Sequence, residues 1–150
     1  MSKELSTEKI PNWITSGIDK DCIKFTDEFG KHLCDLDQRK RAGRCGLTTS
    51  QIRNFFGEVK RIQLLPEKQR VSPFVLLKPK MAYAAARVLQ KNFNSRIKDF
   101  KAVVDKAYDA VEIKPNEDKE HIVDKDHFQN FVDLLESILA YHKVYGGRES

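Results

Sequence analysis

Apolar residues recur at steps of three and four through most of this chain, and that spacing constrains the fold more than any other feature. In the first long segment the apolar series begins at Ile18 and ends at Leu36. This period puts the apolar side chains on one face of an α-helix, whereas a half-buried strand would alternate at every second residue. No alternating segment of convincing length is present. The sequence therefore predicts an all-α fold.

A second helix has a start signal in the residues TTSQ at positions 48–51. The hydroxyl of a threonine can accept a hydrogen bond from a backbone N–H while Gln51 reaches back to the cap, as in a capping box. Pro66 prevents the helix from continuing beyond about Leu65. The residues of its apolar arc are Ile52, Phe55, Phe56, Val59 and Ile62.

The third helix is predicted to begin at Pro79, because the first turn of a helix tolerates proline. It continues through an Ala-rich stretch of high helix propensity. Asn94 or Ser95 is expected to cap a fourth helix, whose apolar residues extend from Ile97 to Val111. The basic run RKRAGRCG at 39–46 contains two glycines and is predicted to be a loop.

The last predicted helix follows an exposed acidic loop over residues 112–121. Asp124 or Asp126 is expected to cap it, and Gly146 and Gly147 to end it. No internal repeat or linker divides residues 1–150, so we expect a single helical bundle of about five helices. Its core is predicted to include Phe55, Phe56, Val59, Leu89, Phe131, Leu135 and Leu139.

Basic residues are concentrated in the middle of the chain. The net charge is +5, but residues 39–98 contain 15 Lys or Arg and only two acids, Glu58 and Glu67. A basic block between acidic flanks favours a surface that binds a polyanion, and nucleic acid is the first candidate. The alternative is an ordinary solvated basic face.

Helical wheels place this charge on stripes beside the apolar arcs of the second and third helices. The second helix has one acid, Glu58, and the wheel puts it on the side away from Arg53 and Lys60. The Tyr and Phe residues mostly fall on buried arcs. Basic side chains without exposed aromatic partners predict contacts with phosphates rather than stacking on bases, so binding should be independent of sequence and sensitive to salt.

The chain carries no recognisable catalytic or metal-binding motif, so we expect neither catalytic residues nor a cofactor. Four residues, Cys22, His32, Cys34 and Cys45, could be drawn as zinc ligands, but no C-x-x-C pair is present and Cys22 lies on an apolar arc. Three cysteines fit a reducing compartment better than a disulfide framework. With no apolar run long enough for a membrane helix and no apolar signal segment, a cytoplasmic protein is expected.

Three motifs resemble the small subunit of Csm-type, type III-A CRISPR–Cas effector complexes. They are LTTSQIR at 47–53, LLKPKMAYAAAR at 76–87 and LLESILAYHKVYGG at 134–147. Three motifs in the right order make the resemblance specific over residues 47–147. Residues 1–46 lie outside it.

The resemblance implies an all-α subunit without catalysis, in a prokaryotic complex. In this family several copies stack into a filament and hold the backbone of target RNA paired with guide RNA, beside the backbone subunits and the large subunit that carry out the chemistry. The basic residues inside the matching motifs are Arg53, Lys78, Lys80 and Arg87. The wheels and the basic loop add Arg41, Arg44, Lys60, Arg61 and Lys91 to the predicted RNA-binding residues.

Two other function classes stay open at this stage. A helical DNA-binding regulator would also be basic, although about fifteen residues with two prolines separate the second and third helices, too many for a helix-turn-helix. An adaptor that binds only proteins would use the acidic flanks and ignore RNA. Guide–target pairing would leave the protein only backbone and shape to recognise, which suits a phosphate-directed stripe.

Overall fold

The computed structural model describes residues 5–36, 39 and 43–147. This part of the chain forms seven α-helices and one short hairpin, which confirms the predicted all-α class. None of its helices has the length and continuous apolar character that crossing a bilayer requires. The elements are α1 (Ile10–Ser16), α2 (Lys20–Leu33), α3 (Thr49–Gln63), a 3₁₀ turn (Glu67–Gln69), α4 (Val71–Val75), α5 (Leu77–Lys91), α6 (Ile97–Ala110), β1 (Ile113–Pro115), β2 (His121–Val123) and α7 (Lys125–Val144).

Helix α7 lies at the centre of the bundle and packs against α1, α2, α3 and α6. Its first turn is capped by Asp124, whose carboxylate accepts a hydrogen bond from the backbone N–H of His127 at 3.0 Å. At its other end Gly146 adopts the left-handed conformation, with φ +73°, that lets a chain leave a helix. Both ends confirm the boundaries predicted from the sequence.

Helix α3 begins with the predicted capping box. The N–H of Gln51 donates to the Thr48 hydroxyl at 3.1 Å, and the N–H of Thr48 donates to the Gln51 side-chain oxygen at 2.8 Å. Two backbone donors that the first turn would leave unpaired are thereby satisfied. The helix ends at Gln63, shortly before Pro66, and its buried face confirms the predicted arc at Ile52, Phe55, Val59 and Ile62.

Two helices were not predicted. Helix α1 has only seven residues and no side-chain cap, yet it buries Ile10, Trp13 and Ile14 against α6 and α7. Helix α4 has five residues and buries Phe74. Segments this short carry too little periodicity to be recognised, since they are stabilised by tertiary packing rather than by local propensity. The first predicted helix is also shorter than the range Ile18 to Leu36, because Asp19 caps it and it ends at Leu33.

The segment predicted as an acidic loop contains a β-hairpin instead. Strands β1 and β2 pair antiparallel, with Ile113 opposite Val123 and Pro115 opposite His121. Asn116 closes the turn, because its side-chain oxygen accepts hydrogen bonds from two backbone N–H groups. The prediction of a loop over 112–121 was therefore wrong at its ends, where strands of three residues are too short to show alternation.

The predicted core is confirmed at four of its seven positions: Phe55, Val59, Phe131 and Leu135 are buried. The other three, Phe56, Leu89 and Leu139, are half-buried and pack against the edge of the core. They lie at the margins of their apolar arcs, where a wheel does not show how far the neighbouring helix extends. Helix α5 begins at Leu77, so Pro79 is its third residue, still within the turn whose N–H groups have no helical partner.

Candidate nucleic-acid interface

Helix α5 presents most of its surface to solvent. Only three of its residues are buried, Leu77, Met81 and Ala85. Leu89, predicted to be in the core, is half-buried, as is Val88, and Ala82 is exposed. The predicted basic residues of this helix are all exposed: Lys78, Lys80, Arg87 and Lys91.

A groove of about 590 Å³ runs between α5 and α3. Its floor includes Phe55 and Met81, and its far end is formed by the turn that joins α5 to α6. Polar side chains from both helices line it, together with the aliphatic part of α5. The residues that line the groove include Gln51, Asn54, Glu58, Lys80, Tyr83, Arg87, Lys91 and Asn92.

Three of the predicted RNA-binding residues line this groove: Lys80, Arg87 and Lys91. Arg53 and Lys60 do not, because at 100° per residue they lie on the flank of α3 opposite the groove-lining residues Asn54 and Glu58. The predicted basic stripe is thus divided. Arg53 and Lys60 lie on one flank of α3, and the basic residues of α5 lie along the groove on its other flank. A wheel drawn for each helix separately does not show on which side the neighbouring helix packs.

Acidic side chains pair with three of the predicted cations. The Nζ of Lys80 lies 3.3 Å from the Glu58 Oε2, and Arg61 pairs with the same carboxylate. The Nζ of Lys78 lies 2.9 Å from the Asp109 Oδ1 on α6. Glu58 lies away from Arg53 and Lys60, as the wheel predicts, but a single-helix wheel did not show that α5 packs on the side of α3 that carries Glu58 and brings Lys80 to it.

The pKa of Glu58 reflects this pairing. Partial burial raises it, but the hydrogen bonds and charges of Lys80 and Arg61 outweigh burial, so that the pKa lies below its ordinary value. For Lys78, the hydrogen bond to Asp109 raises the pKa. Lys78, Lys80 and Arg61 are therefore held by carboxylates with which any phosphate must compete.

Within the described ranges, five predicted cations have no carboxylate partner: Arg44, Arg53, Lys60, Arg87 and Lys91. Two of them contact aromatic rings. The Nζ of Lys60 lies 5.9 Å from the centre of the Phe56 ring, and the guanidinium of Arg87 lies 5.8 Å from that of Tyr83. Exposed cations without an acidic partner are the groups from which phosphate contacts are built.

The basic loop before α3 is tied to the end of the groove. The side chain of Asn92 donates to the carbonyl oxygen of Arg44 at 2.7 Å, and Arg44 itself is exposed. Arg96, which the sequence analysis did not predict, anchors the same loop. Its backbone N–H donates a hydrogen bond to the Cys45 carbonyl oxygen at 2.7 Å, and its guanidinium pairs with the Asp35 carboxylate at 2.9 Å. Arg41, also predicted to bind RNA, lies outside the described residues.

Three of the four residues weighed as zinc ligands, Cys22, His32 and Cys34, are buried or bonded to other groups, whereas Cys45 is half-buried. Burial raises the pKa of the Cys22 thiol to about 12 and that of Cys34 to about 11. The thiol of Cys34 donates to the carbonyl oxygen of His142, and His32 pairs with Asp99 at 2.8 Å. Over residues 5–36, 39 and 43–147, no three His, Cys, Asp or Glu side chains are grouped to hold a metal ion.

Two exposed rings are exceptions to the expectation that the Tyr and Phe residues mostly fall on buried arcs, and Tyr83 corrects the expectation that the basic residues have no exposed aromatic partner. Tyr83 on α5 is 67% exposed, and Phe93, just beyond the helix, is 81% exposed. A wheel with Pro79 at zero places Tyr83 only about 40° from Arg87, so its position beside the basic stripe was present in the sequence.

Comparison with known protein families agrees with this helical, basic architecture. The model of the family Csm2 Type III-A matches residues 24–148. The chain belongs to the Csm2 family. The match begins at residue 24 and so includes α2 from its fifth residue, a segment for which the three motifs gave no resemblance. Searches of curated proteins and of solved structures gave no match.

Csm2 proteins are the small, non-catalytic subunits of the type III-A CRISPR effector, the Csm complex. Membership in the family makes this chain a component of an assembly with other Csm subunits.

Proposed function

We propose that this Csm2 protein grips the sugar–phosphate backbone of target RNA while that RNA is paired with the guide. Copies of the chain stack on one another in a filament, beside the backbone subunits and near the large subunit, in the prokaryotic cytoplasm. Sequence is recognised by guide–target pairing, which leaves the protein to contact phosphates. The chain has no catalytic role of its own in this proposal.

The cations without carboxylate partners are the observation that carries the proposal. Arg87 and Lys91 are one helical turn apart on α5. Arg53 and Lys60 form a second exposed pair on α3. Two such pairs provide several points of contact for a phosphate chain, and each contact releases counterions when RNA binds.

Two buried thiols and a buried histidine support a non-catalytic role. Burial raises the pKa of both Cys22 and Cys34, so neither is a ready nucleophile at neutral pH. The imidazole of His142 is fully buried, with its Nε2 bonded to a backbone carbonyl. These groups pack the bundle and do not face the α3–α5 groove.

The structure disfavours a helix-turn-helix regulator. A 3₁₀ turn and the whole of α4 lie between α3 and α5, where a helix-turn-helix has a single short turn. The α3–α5 pair therefore cannot place a recognition helix in a DNA groove in the usual way.

A titration of three labelled ligands tests the proposal: a guide–target RNA duplex, single-stranded RNA and double-stranded DNA, each at two salt concentrations. We expect the free protein to bind RNA of any sequence, and both the free protein and the assembly with the other Csm subunits to lose affinity steeply as salt increases. Avidity in the filament should make binding by the assembly much tighter. A preference for one DNA sequence, or no nucleic-acid binding by the assembly, would contradict the proposal.

A further inference from the structure

We propose that the α3–α5 groove binds one unpaired RNA nucleotide, with its base stacked on Tyr83 and its phosphate held by Arg87 and Lys91. This inference rests on the proposed RNA-binding function and adds a site that backbone contact does not require. It assigns a role to Tyr83, which lines the groove and exposes two-thirds of its side chain to solvent.

The ring of Tyr83 has the surroundings of a stacking platform. The guanidinium of Arg87 lies over the ring at 5.8 Å from its centre, which holds the aromatic side chain and brings a cation beside it. Proteins that bind single-stranded nucleic acid combine such exposed rings with a basic groove that follows the backbone. A ring that served only to pack the fold would be buried.

The groove has the size of a site for a single nucleotide. Its volume of about 590 Å³ lies within the range of about 300–1,000 Å³ typical of small-ligand sites. A base pair inside a helix has both faces covered by its neighbours, so only an unpaired base can offer a face to Tyr83.

Amide side chains along the groove can meet the polar edge of a base. The side-chain oxygen of Gln51 accepts from the Thr48 N–H, which leaves its NH₂ group as a donor. The NH₂ of Asn92 donates to the Arg44 carbonyl, which leaves its oxygen as an acceptor. Asn54 lines the same space. Donors and acceptors together suit more than one base, and stacking itself is tolerant of sequence.

The positive charge of the groove favours a phosphate group over an apolar protein segment as its occupant. Glu58 is the one acid among the described residues that line the groove, and Lys80 and Arg61 neutralise it. Arg87 and Lys91 then leave the groove positively charged. An apolar segment of a second copy of the chain would leave both cations unpaired, so a nucleotide is the better occupant.

The test compares two labelled RNA 12-mers, oligouridine and the same backbone with every base removed. Stacking of a base on an aromatic ring contributes enough that Tyr83→Ala should weaken binding of oligouridine by about five- to a hundredfold. Tyr83→Phe, which keeps the ring, should bind as the wild type does. On the abasic strand all three proteins should bind equally. Phe93→Ala, an exposed ring outside the groove lining, is the matched control and should change neither affinity.

Three outcomes would overturn the inference. If Tyr83→Ala binds oligouridine as the wild type does, no base stacks on this ring. If it loses as much affinity for the abasic strand, Tyr83 acts through the fold or the phosphates. If Tyr83→Ala changes only self-association in sedimentation, the groove binds another copy of the chain. In each case, salt-sensitive binding of both strands by the wild type would still support the proposed contact with the RNA backbone. If the wild type bound neither strand, that proposed function would be contradicted as well.

Discussion

The Nε2 of His142 donates a hydrogen bond to the carbonyl oxygen of Leu47 at 2.6 Å, which joins α7 to the residue before the cap of α3. The imidazole is completely buried, and Gly147 leaves the room that it needs, since a Cβ there would overlap the ring. This bond links the first and last of the three segments that resemble the family, although 95 residues separate its partners in the chain.

Mild acid should destabilise the protein through this histidine. Burial lowers the pKa of His142 below its ordinary value of 6.5, despite the hydrogen bond to Leu47. The unfolded chain then takes up the proton at a higher pH than the folded protein, so stability is complete above about pH 6.5 and falls as the pH decreases. Melting temperatures between pH 7.5 and 5 measure this loss. His142→Gln, which keeps a donor but does not titrate there, should flatten the curve, and an unchanged slope would contradict the assignment.

The close crossing of α2 and α7 depends on Gly30. A Cβ at this position would lie 2.6 Å from the Tyr141 Cβ and 2.9 Å from the backbone N of His142. Gly30→Ala should therefore force the helices apart and cost about 1–3 kcal/mol. Denaturant unfolding measures the change in the free energy of unfolding.

Gly57 provides the matched control for that substitution. It lies on α3, and a Cβ there would meet nothing within 4 Å. Gly57→Ala should stabilise the protein by about 0.5–1 kcal/mol, because alanine loses less backbone entropy in a helix. Opposite signs for the two variants are expected; equal effects would mean that α2 and α7 do not cross at Gly30.

Leu135 tests the placement of the core. Its side chain is only 2% exposed, so Leu135→Ala should leave a cavity and cost about 2–5 kcal/mol. Leu64, which is 85% exposed, allows the same substitution at the surface, where the change should stay within about 0.5 kcal/mol. A thermal shift for Leu135→Ala no larger than for Leu64→Ala would disprove this core.

Metal removal should leave the protein intact. His32 already pairs with Asp99, and the thiols of Cys22 and Cys34 are buried. Treatment with a chelator should change neither the helical circular dichroism nor the melting temperature, whereas a zinc-dependent fold would unfold. Zinc at one equivalent in the purified protein would contradict this expectation.

The elements with strong local signals could be predicted from the sequence. The Thr48–Gln51 capping box and the Asp124 cap fixed the starts of α3 and α7, because each rests on residues three positions apart. Helix α1 and the hairpin could not be predicted in this way. Their stability comes from packing by residues such as Trp13 and Val123, which depends on partners far away in the chain.

The candidate site shows the same division between local and tertiary information. That Lys80 and Arg87 share an exposed arc of α5 follows from helical geometry alone. That Lys80 meets Glu58, and that Arg53 lies on the other flank of α3, depends on how the two helices pack. Single-helix wheels could therefore predict which residues are exposed but not which of them face one another.

The central claim is that exposed cations on α3 and α5 hold the RNA backbone, and reversing two of them tests it most directly. Arg53→Glu with Arg87→Glu should be assembled into the Csm complex and titrated with two unrelated guide–target pairs over a range of salt. Lys24→Glu with Lys143→Glu, exposed positions on α2 and α7, gives a control of the same net charge.

We predict that the Arg53 and Arg87 reversal weakens both guide–target pairs alike and lowers the slope of log affinity against log salt by about 0.7–0.9 for each lost contact. The control should bind as the wild type does, apart from the loss of affinity that its change in net charge causes. Unchanged affinity and slope for both pairs would show that these residues form only a solvated face. Loss for one pair alone would show that the protein reads bases, which contradicts the account.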